Sequence, residues 1–323
     1  MSLGEFDLIA RYFARPTCRA ALGPGDDCAV LALRPGMQLA VSCDMLVEGR
    51  HFLPTVEPRR LGHKALAVNL SDLAACGARP LACTLAIALP RVDEAWLEGF
   101  SAGLYALAEA HGCELVGGDT TAGPLTLCIT VFGELPVGAA LLRSTARAGD
   151  EIWVSHAIGG GLGDARLALE AFRGQVSLPG AVFERVRLAM EQPQPRVALG
   201  LALRGLASAA IDVSDGLLGD LSHLLRRSAV GATVDVGRVP RSADLAAQSL
   251  ALQRLCTLAG GDDYELVFTA PEAASAHVLE AARGAGVAVS RIGRIEAGPG
   301  LRLVDGDGRA VEPVWSSFDH FRA

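Results

Sequence analysis

RLGHKALAVNLSDLAACGARP (residues 60–80) reads as a single apolar helix with a carboxylate near its middle. Leu66, Val68, Leu70 and Leu73 ask for a core, whereas Asn69, Ser71 and Asp72 do not. Gly77 and Pro80 close the segment in the order that stops helices. A carboxylate inside an apolar helix is costly unless it has a partner. On this stretch alone two readings stay open. Asp72 is an Asp satisfied in a core or on one exposed stripe, or it is a ligand for a cation.

The surrounding chain narrows the choice. Its 323 residues suit two domains of ordinary size, and 50% hydrophobic composition allows large cores. A net charge of −7 without any basic block argues against nucleic acid as a partner. No apolar run approaches the ~20 residues of a membrane span. The start, MSLGEFDLIARYF, is charged and amphipathic, unlike a signal peptide. The eight cysteines are scattered without a CxxC pair, which speaks against zinc and disulfides and for a reduced cytoplasmic setting. Of the 29 basic residues only Lys64 is a lysine. A position that keeps Lys in an Arg-rich chain suggests a need for a compact ammonium.

Outward from the central helix, residues 3–13 read as a short amphipathic helix. Segments 28–33, 38–43, 81–89 and 125–135 read as strands, and 59–76 and 93–111 as helices. Strands mixed with long helices make an α/β or α+β domain. RSTARAGDEIWVS (143–155) opens a second one, so the boundary is expected near Gly149, giving domains 1–148 and 149–323. Gly159-Gly160-Gly161-Leu162-Gly163-Asp164 is not GxGxxG, and a plain flexible turn before a helix explains it equally well. There is no long repeat, but an apolar strand followed by Gly-Gly-Asp is expected twice, at 114–121 and 257–268.

Acidic residues recur at the expected strand ends beside glycine: Asp26 and Asp27, Asp44, Asp119, Asp212 with Asp215 and Asp220, and Asp262 with Asp263. One such Asp is ordinarily a turn former or helix cap. Several of them, with few His and no paired Cys, suit hard divalent cations, Mg²⁺ above all. Carboxylates gathered in one place repel unless metals sit among them, and metals gathered that way usually hold polyphosphate. The residues therefore point to a Mg²⁺–nucleotide enzyme. GxxxxGK[ST], the protein-kinase set and GxSxG are all absent.

GEFDLIARYF, GPGDDCAVL, SCDMLVEGRHF, HKALAVNLSDLAACGARP, VGGDTTAGPL, IDVSDGLLGDL, GGDDYELVF and the terminal FDHF occur in this order from residue 4 onward. The ordered set resembles the thiamine-monophosphate kinases, of the superfamily that includes aminoimidazole ribonucleotide synthetase and selenophosphate synthetase. The resemblance implies a two-domain aminoimidazole ribonucleotide synthetase-like fold, with N-terminal sheets of two subunits pairing into a barrel in a homodimer. It implies ATP as co-substrate, several Mg²⁺ ions, and direct phosphoryl transfer to thiamine monophosphate. It assigns Asp27, Ser42, Asp44, Asp72, Asp119, Asp212 and Asp215 as metal ligands, and Cys43 where Thr is usual, through a backbone carbonyl. Gly118, Asp119, Arg143 and Ser214 match nucleotide contacts; His51, Phe318 and Asp262, where the family motif has Glu, match substrate contacts. Two other classes stay open. One is an enzyme of the same superfamily activating an amide or carbonyl oxygen, and the other is a non-catalytic Mg²⁺–nucleotide module.

Two expectations concern the opening helix. Asn69, at i−3, is expected to orient Asp72. Lys64 lies eight residues before Asp72, about 12 Å of helical rise at ~1.5 Å per residue. Both can reach one extended triphosphate, so Lys64 is expected to contact a phosphate oxygen or the carboxylate cluster. Its truncation should then impair turnover with little change in melting temperature.

Overall fold

The computed structural model of the chain describes residues 4–25 and 27–312. They fall into two compact units, one from residues up to 73 together with 78–138, the other from 74–77 together with 139 onward. The first unit contains α1 (Glu5–Tyr12), β1 (Ala20–Leu22), β2 (Val30–Leu31), β3 (Met37–Val47) and α2 (Pro58–Cys76). It continues with β4 (Arg79–Leu89), α3 (Glu94–His111), β5 (Glu114–Ala122) and β6 (Thr126–Pro136). A four-stranded sheet runs in the order β3-β6-β4-β5, parallel between β4 and β5 and antiparallel elsewhere; β1 and β2 form a separate antiparallel pair.

Alternation along β6 shows how this sheet is used. Leu127, Ile129 and Val131 are buried, while Cys128, Thr130 and Phe132 on the other face are half-exposed. Successive side chains of a strand point to opposite faces, so one face is core and the other is not. α2 lies on the core face, where Leu73 sits against the Gly133 backbone. It is enclosed nearly all round: from Leu61 to Ala75 every residue except His63 and Asp72 is buried. That is the expected state of a helix apolar on all sides, and it removes the exposed-stripe reading of residues 60–80. Its approach to α3 depends on two glycines. A Cβ on Gly62 would stand 2.0 Å from the Phe100 carbonyl oxygen, and one on Gly103 would stand 1.8 Å from that of Arg59. α3 itself begins at an Asp93 carboxylate that accepts from Trp96 N at 3.1 Å and ends on Gly112 in left-handed conformation, a near match to the expected span.

Two strand expectations need correction. β3 does not stop at residue 43. It pairs with β6 from Met37↔Pro136 to Val47↔Thr126, so Asp44 lies within the strand. Ladder hydrogen bonds carried the strand past a carboxylate that local propensity reads as an end. Likewise Asp119 lies inside β5, opposite Ala86.

The second unit contains β7 (Glu151–His156), α4 (Asp164–Phe172), α5 (Gly180–Glu191), α6 (Val197–Ala202), β8 (Ala209–Val213), α7 (Leu217–Ser228) and β9 (Gly231–Asp235). After these come α8 (Ala243–Ala246), α9 (Leu250–Ala259), β10 (Glu265–Ala270), α10 (Ser275–Gly284), β11 (Ala288–Glu296) and β12 (Gly300–Val304). Its six-stranded sheet has the order β12-β9-β11-β7-β10-β8, antiparallel except for β12 with β9. Ile152, Val154, Ile211, Val213 and Val267 of the sheet pack with Leu217, Leu221 and Leu224 of α7. The segment before the second Gly-Gly-Asp is the helix α9, not a strand. Its Leu- and Ala-rich composition favours helix, and the Ser249 hydroxyl caps it by accepting from Leu252 N at 3.3 Å. The two Gly-Gly-Asp sites therefore belong to different local structures.

Candidate active site

In the first unit the polar residues of β3 and α2 meet on the core face of the sheet. Ser42 and Asp44, two apart on β3, face α2. The Ser42 hydroxyl donates to Asp72 Oδ2 at 2.5 Å. The backbone N–H of Asp44 donates to Asn69 Oδ1 at 3.0 Å, and Asn69 Nδ2 donates to the Ala65 carbonyl at 3.0 Å. Asn69 thus orients Asp44, and Ser42 holds Asp72, which corrects the expectation that Asn69 serves Asp72. Asn69 and Ser71 are buried polar groups, while Asp72 keeps partial exposure.

A tight turn follows β3. The N–H groups of Arg50 and His51 donate to the Val47 carbonyl at 3.1 and 3.0 Å, and Gly49 N donates to the Phe52 carbonyl at 2.8 Å. Val47 N donates to His51 Nδ1 at 3.0 Å. A ring nitrogen that accepts from a backbone N–H carries no proton, so the His51 proton of the neutral ring is on Nε2. Lys64, only 1% exposed, donates from Nζ to the His51 carbonyl at 3.2 Å. The sole lysine is therefore buried and tied to the turn that carries His51. A buried, bonded side chain argues that its truncation lowers stability, against the expectation of little change in melting temperature.

Cys43 points the other way. Its sulfur lies 3.4 Å from Cys128 Sγ on β6, on the sheet face opposite Ser42 and Asp44. Burial first, then the hydrogen bond with Cys43, pushes the Cys128 thiol up to about 11. Asp119 is exposed on β5, and Asp27 is exposed in the bend before β2. Gly118 has a packing reason for being glycine: a Cβ there would stand 1.8 Å from the Leu85 carbonyl oxygen of β4.

The second unit gathers its carboxylates around the end of β8. Asp212 is a buried residue of β8, and Ser214, Asp215 and Gly216 form the loop into α7. Asp220, in the first turn of α7, turns back over that loop. Its Oδ2 accepts from the backbone N–H of Ser214, Asp215 and Gly216 at 3.0, 3.0 and 3.1 Å. Burial, reinforced by the charge of Asp215, pushes the Asp220 carboxyl up to about 7 against the pull of those three donors. The segment 260–264 docks on the same loop: Asp262 N donates to the Ser214 carbonyl and Tyr264 N to the Val213 carbonyl, each at 2.8 Å. Asp262 and Tyr264 hold left-handed φ of 63° and 50°, a strain of about 1–3 kcal/mol each. Arg143 is exposed, and its carbonyl accepts from the Ser228 hydroxyl at 2.9 Å. Phe318 lies outside the described residues.

Three amides of the glycine-rich loop 159–163 are engaged within the protein. Gly160 N donates to Ala157 O, Leu162 N to Pro240 O and Gly163 N to Asp263 Oδ1, at 2.9, 3.0 and 2.8 Å. Among the described residues no group of three or more His, Cys, Asp or Glu side chains is assembled around a metal-sized point. The donor chemistry nevertheless suits a hard cation, being carboxylate and hydroxyl oxygen with the Cys43 sulfur turned away. Asp220 and Asp263 read from the sequence as caps or supporting residues outside the site; Asp220 is such a cap, whereas the partner of Asn69 was not foreseen. Only Asp220 carried a local signal, an acidic residue in the first turn of a helix.

Residues 25–135 match the family model described as AIR synthase related protein, N-terminal domain, and residues 147–306 match the corresponding C-terminal domain. Fold and matched domains together define an AIR synthase-related protein. The thiamine-monophosphate kinase of Salmonella typhimurium is 45% identical over 326 residues, covering 99% of each chain. The crystal structure of thiamine-monophosphate kinase from Stenotrophomonas maltophilia K279a superposes with a TM-score of 0.86 at 46% identity, covering 96% of this chain and 99% of that one. AaThiL complexed with AMPPCP and TMP superposes with a TM-score of 0.77 at 29% identity, covering 90% and 89%. The chain belongs to the thiamine-monophosphate kinase family.

Proposed function

We propose that the chain transfers the terminal phosphoryl group of ATP directly to the phosphate of thiamine monophosphate, giving thiamine diphosphate and ADP. The observation that carries this reading is the full-length relation to thiamine-monophosphate kinases, at 45% identity over 99% of both chains. A relative bound to AMPPCP and TMP supports both substrates.

Mg²⁺ would be held by Asp27, Ser42, Asp44, Asp72, Asp119 and the Cys43 carbonyl in the first unit, and by Asp212 and Asp215 in the second. When bound, the ions neutralise phosphate charge and favour attack on the terminal phosphorus. Ser42 and Asn69 keep the carboxylate of Asp72 and the backbone of Asp44 in place, so little reorganisation is needed when the polyphosphate arrives. Gly118, Asp119, Arg143 and Ser214 would bind nucleotide. His51, with its proton on Nε2, would donate to a substrate oxygen, while Asp262 and Phe318 would contact the rest of the thiamine monophosphate. Lys64 would act through the His51 turn, whose carbonyl its buried ammonium holds. No His or Cys nucleophile is invoked: the transferred group passes in line between two phosphates.

The exposed face of the first sheet supports a homodimer. Leu39, Val41 and Met45 of β3 are 47, 56 and 55% exposed, in a row with Cys43. A contiguous apolar sheet face of this kind is normally covered, and a second copy pairing sheet to sheet would cover it. A cytoplasmic setting is supported by eight cysteines that are all free thiols. No described helix is long and apolar enough to cross a membrane.

The test is one assay: purified protein, ATP and Mg²⁺ with either thiamine or thiamine monophosphate, products resolved by chromatography. Thiamine diphosphate should form only with the monophosphate and should vanish with EDTA. ATP consumption without thiamine diphosphate would place the chain with a different superfamily reaction. No nucleotide turnover at all would leave a binding module.

A further inference from the structure

The glycine-rich loop is closely packed at two of its glycines. A Cβ on Gly161 would stand 2.2 Å from Arg241 Cα, and one on Gly163 would stand 2.6 Å from the Cys256 backbone. The one amide of this loop that reaches a carboxyl group is that of Gly163, which donates to Asp263 Oδ1 at 2.8 Å. Asp263 is flanked by Asp262 and Tyr264, both in left-handed backbone. We propose that Asp263 is a positioning residue for thiamine monophosphate: its carboxyl group fastens segment 260–264 to the glycine-rich loop and so fixes Asp262 toward substrate.

The geometry separates this role from a direct contact. Asp263 Oδ2 is sealed from solvent and has no hydrogen-bond partner. Both carboxyl oxygens are thus turned to the protein, one to Gly163 N and one into a sealed space, although the residue as a whole is half-buried. It acts on its neighbour through the backbone that it anchors. Among the contacts that hold the segment are Asp262 N on Ser214 O, Tyr264 N on Val213 O, and the Asp263 carboxyl on Gly163 N. The first two are made by the strained residues themselves. The third ties the segment to a different part of the unit, the loop that leads into α4. The sealed oxygen also favours the acid form. Burial first, then the charges of Glu265, Asp164 and Asp262, pushes this carboxyl well above the usual carboxylate range. A neutral acid and an amide are nearly isosteric, and both accept from Gly163 N through one oxygen. Asn should therefore stand in for Asp263, which a ligating or charge-bearing Asp would not tolerate.

The inference rests on the kinase reading and on Asp262 facing substrate, and the experiment keeps these apart. Steady-state kinetics with both substrates are measured for wild type, Asp263→Ala and Asp263→Asn. Hydrogen exchange at the Gly163 amide is followed in the same proteins without substrate. Asp263→Ala should raise KM for thiamine monophosphate at least tenfold, leave KM for ATP within about twofold, and lose protection at Gly163. Asp263→Asn should stay within about threefold of wild type in every constant and keep that protection. A wild-type KM for thiamine monophosphate in Asp263→Ala overturns the proposal, as do equal rises in both KM values or an Asn variant as impaired as Ala. If Asp263→Ala does not fold, Asp263→Asn decides alone: retained KM supports the clamp, and a tenfold rise overturns it. A wild-type protein without thiamine diphosphate formation would refute the kinase reading instead. The exchange arm then still judges the clamp, and an unprotected Gly163 amide in wild type overturns it.

Discussion

Asp72 keeps partial exposure in a helix whose neighbours are buried, and its Oδ2 accepts from Ser42. Asp72→Asn preserves size and an acceptor for that hydroxyl but removes the charge. Turnover should fall ~10²–10³-fold, the scale of losing one group that stabilises transition-state charge, while the melting temperature stays within a few degrees. Near-normal turnover at ordinary Mg²⁺ would take Asp72 out of the site. Lys64 is a different case because it is buried and bonded to the His51 carbonyl. Lys64→Ala opens a cavity and removes that hydrogen bond, so thermal unfolding should show a loss of about 2–5 kcal/mol. Lys64→Arg keeps the charge but forces a planar fork into space shaped for an ammonium, and KM for thiamine monophosphate should rise with it. An Arg variant with wild-type kinetics and stability would return Lys64 to the status of ordinary filler. At this scale the chemistry of each side chain was legible, but its partner was not. Ser42, Asp72 and Lys64 were all expected near phosphate or metal. Asn69 went to Asp44 rather than Asp72 because strand β3 crosses that turn of α2, which i,i+3 spacing cannot show.

The α7 N-terminus shows how an element holds the loop that precedes it. One Asp220 oxygen satisfies three backbone donors that would otherwise be orphaned at a helix start. Asp220→Ala removes that acceptor and should cost about 1–3 kcal/mol in denaturant unfolding. Asp220→Asn retains an oxygen acceptor and should lose less than half as much; equal losses would contradict the capping role. α4 gives a pH-dependent counterpart. Asp164 is pushed up to about 6, chiefly by burial, although the Ser242 hydroxyl donates to it at 2.6 Å. A carboxyl raised in the folded state contributes stability that is complete below its unfolded pKa of ~3.9 and is lost as pH climbs through about 6. The loss is of order 2–3 kcal/mol, at 1.36 kcal/mol per pH unit. Asp164→Asn should flatten the stability profile between about pH 4 and pH 6, and an unchanged slope there would contradict it. Element identity was largely readable, as with α3, whose Asp93 cap and Gly112 stop are both written locally. The failures have a common cause. β3 outran its expected end through pairing with β6, and α9 replaced a strand because a short Leu- and Ala-rich run carries no decisive period.

For the whole molecule, the row Leu39, Val41 and Met45 predicts association. Light scattering should give twice the 33.5 kDa chain mass at micromolar concentration, and Val41→Lys should shift the protein to monomer. A wild-type monomer would leave that face without its proposed occupant. The order of motifs along the chain was enough to indicate two α/β domains and the thiamine-monophosphate kinase family. Composition and motif order survive in one dimension, so they can be read there. The pairing of donors could not be read in the same way. Ser42 meets Asp72 across 30 residues, and Gly163 meets Asp263 across 100. Such contacts depend on sheet register and helix packing, where a one-residue shift turns every side chain to the other face. Three-dimensional packing alone therefore turned Cys43 away from Ser42 and Asp44, buried the single lysine under the His51 turn, and closed the glycine-rich loop on Asp263.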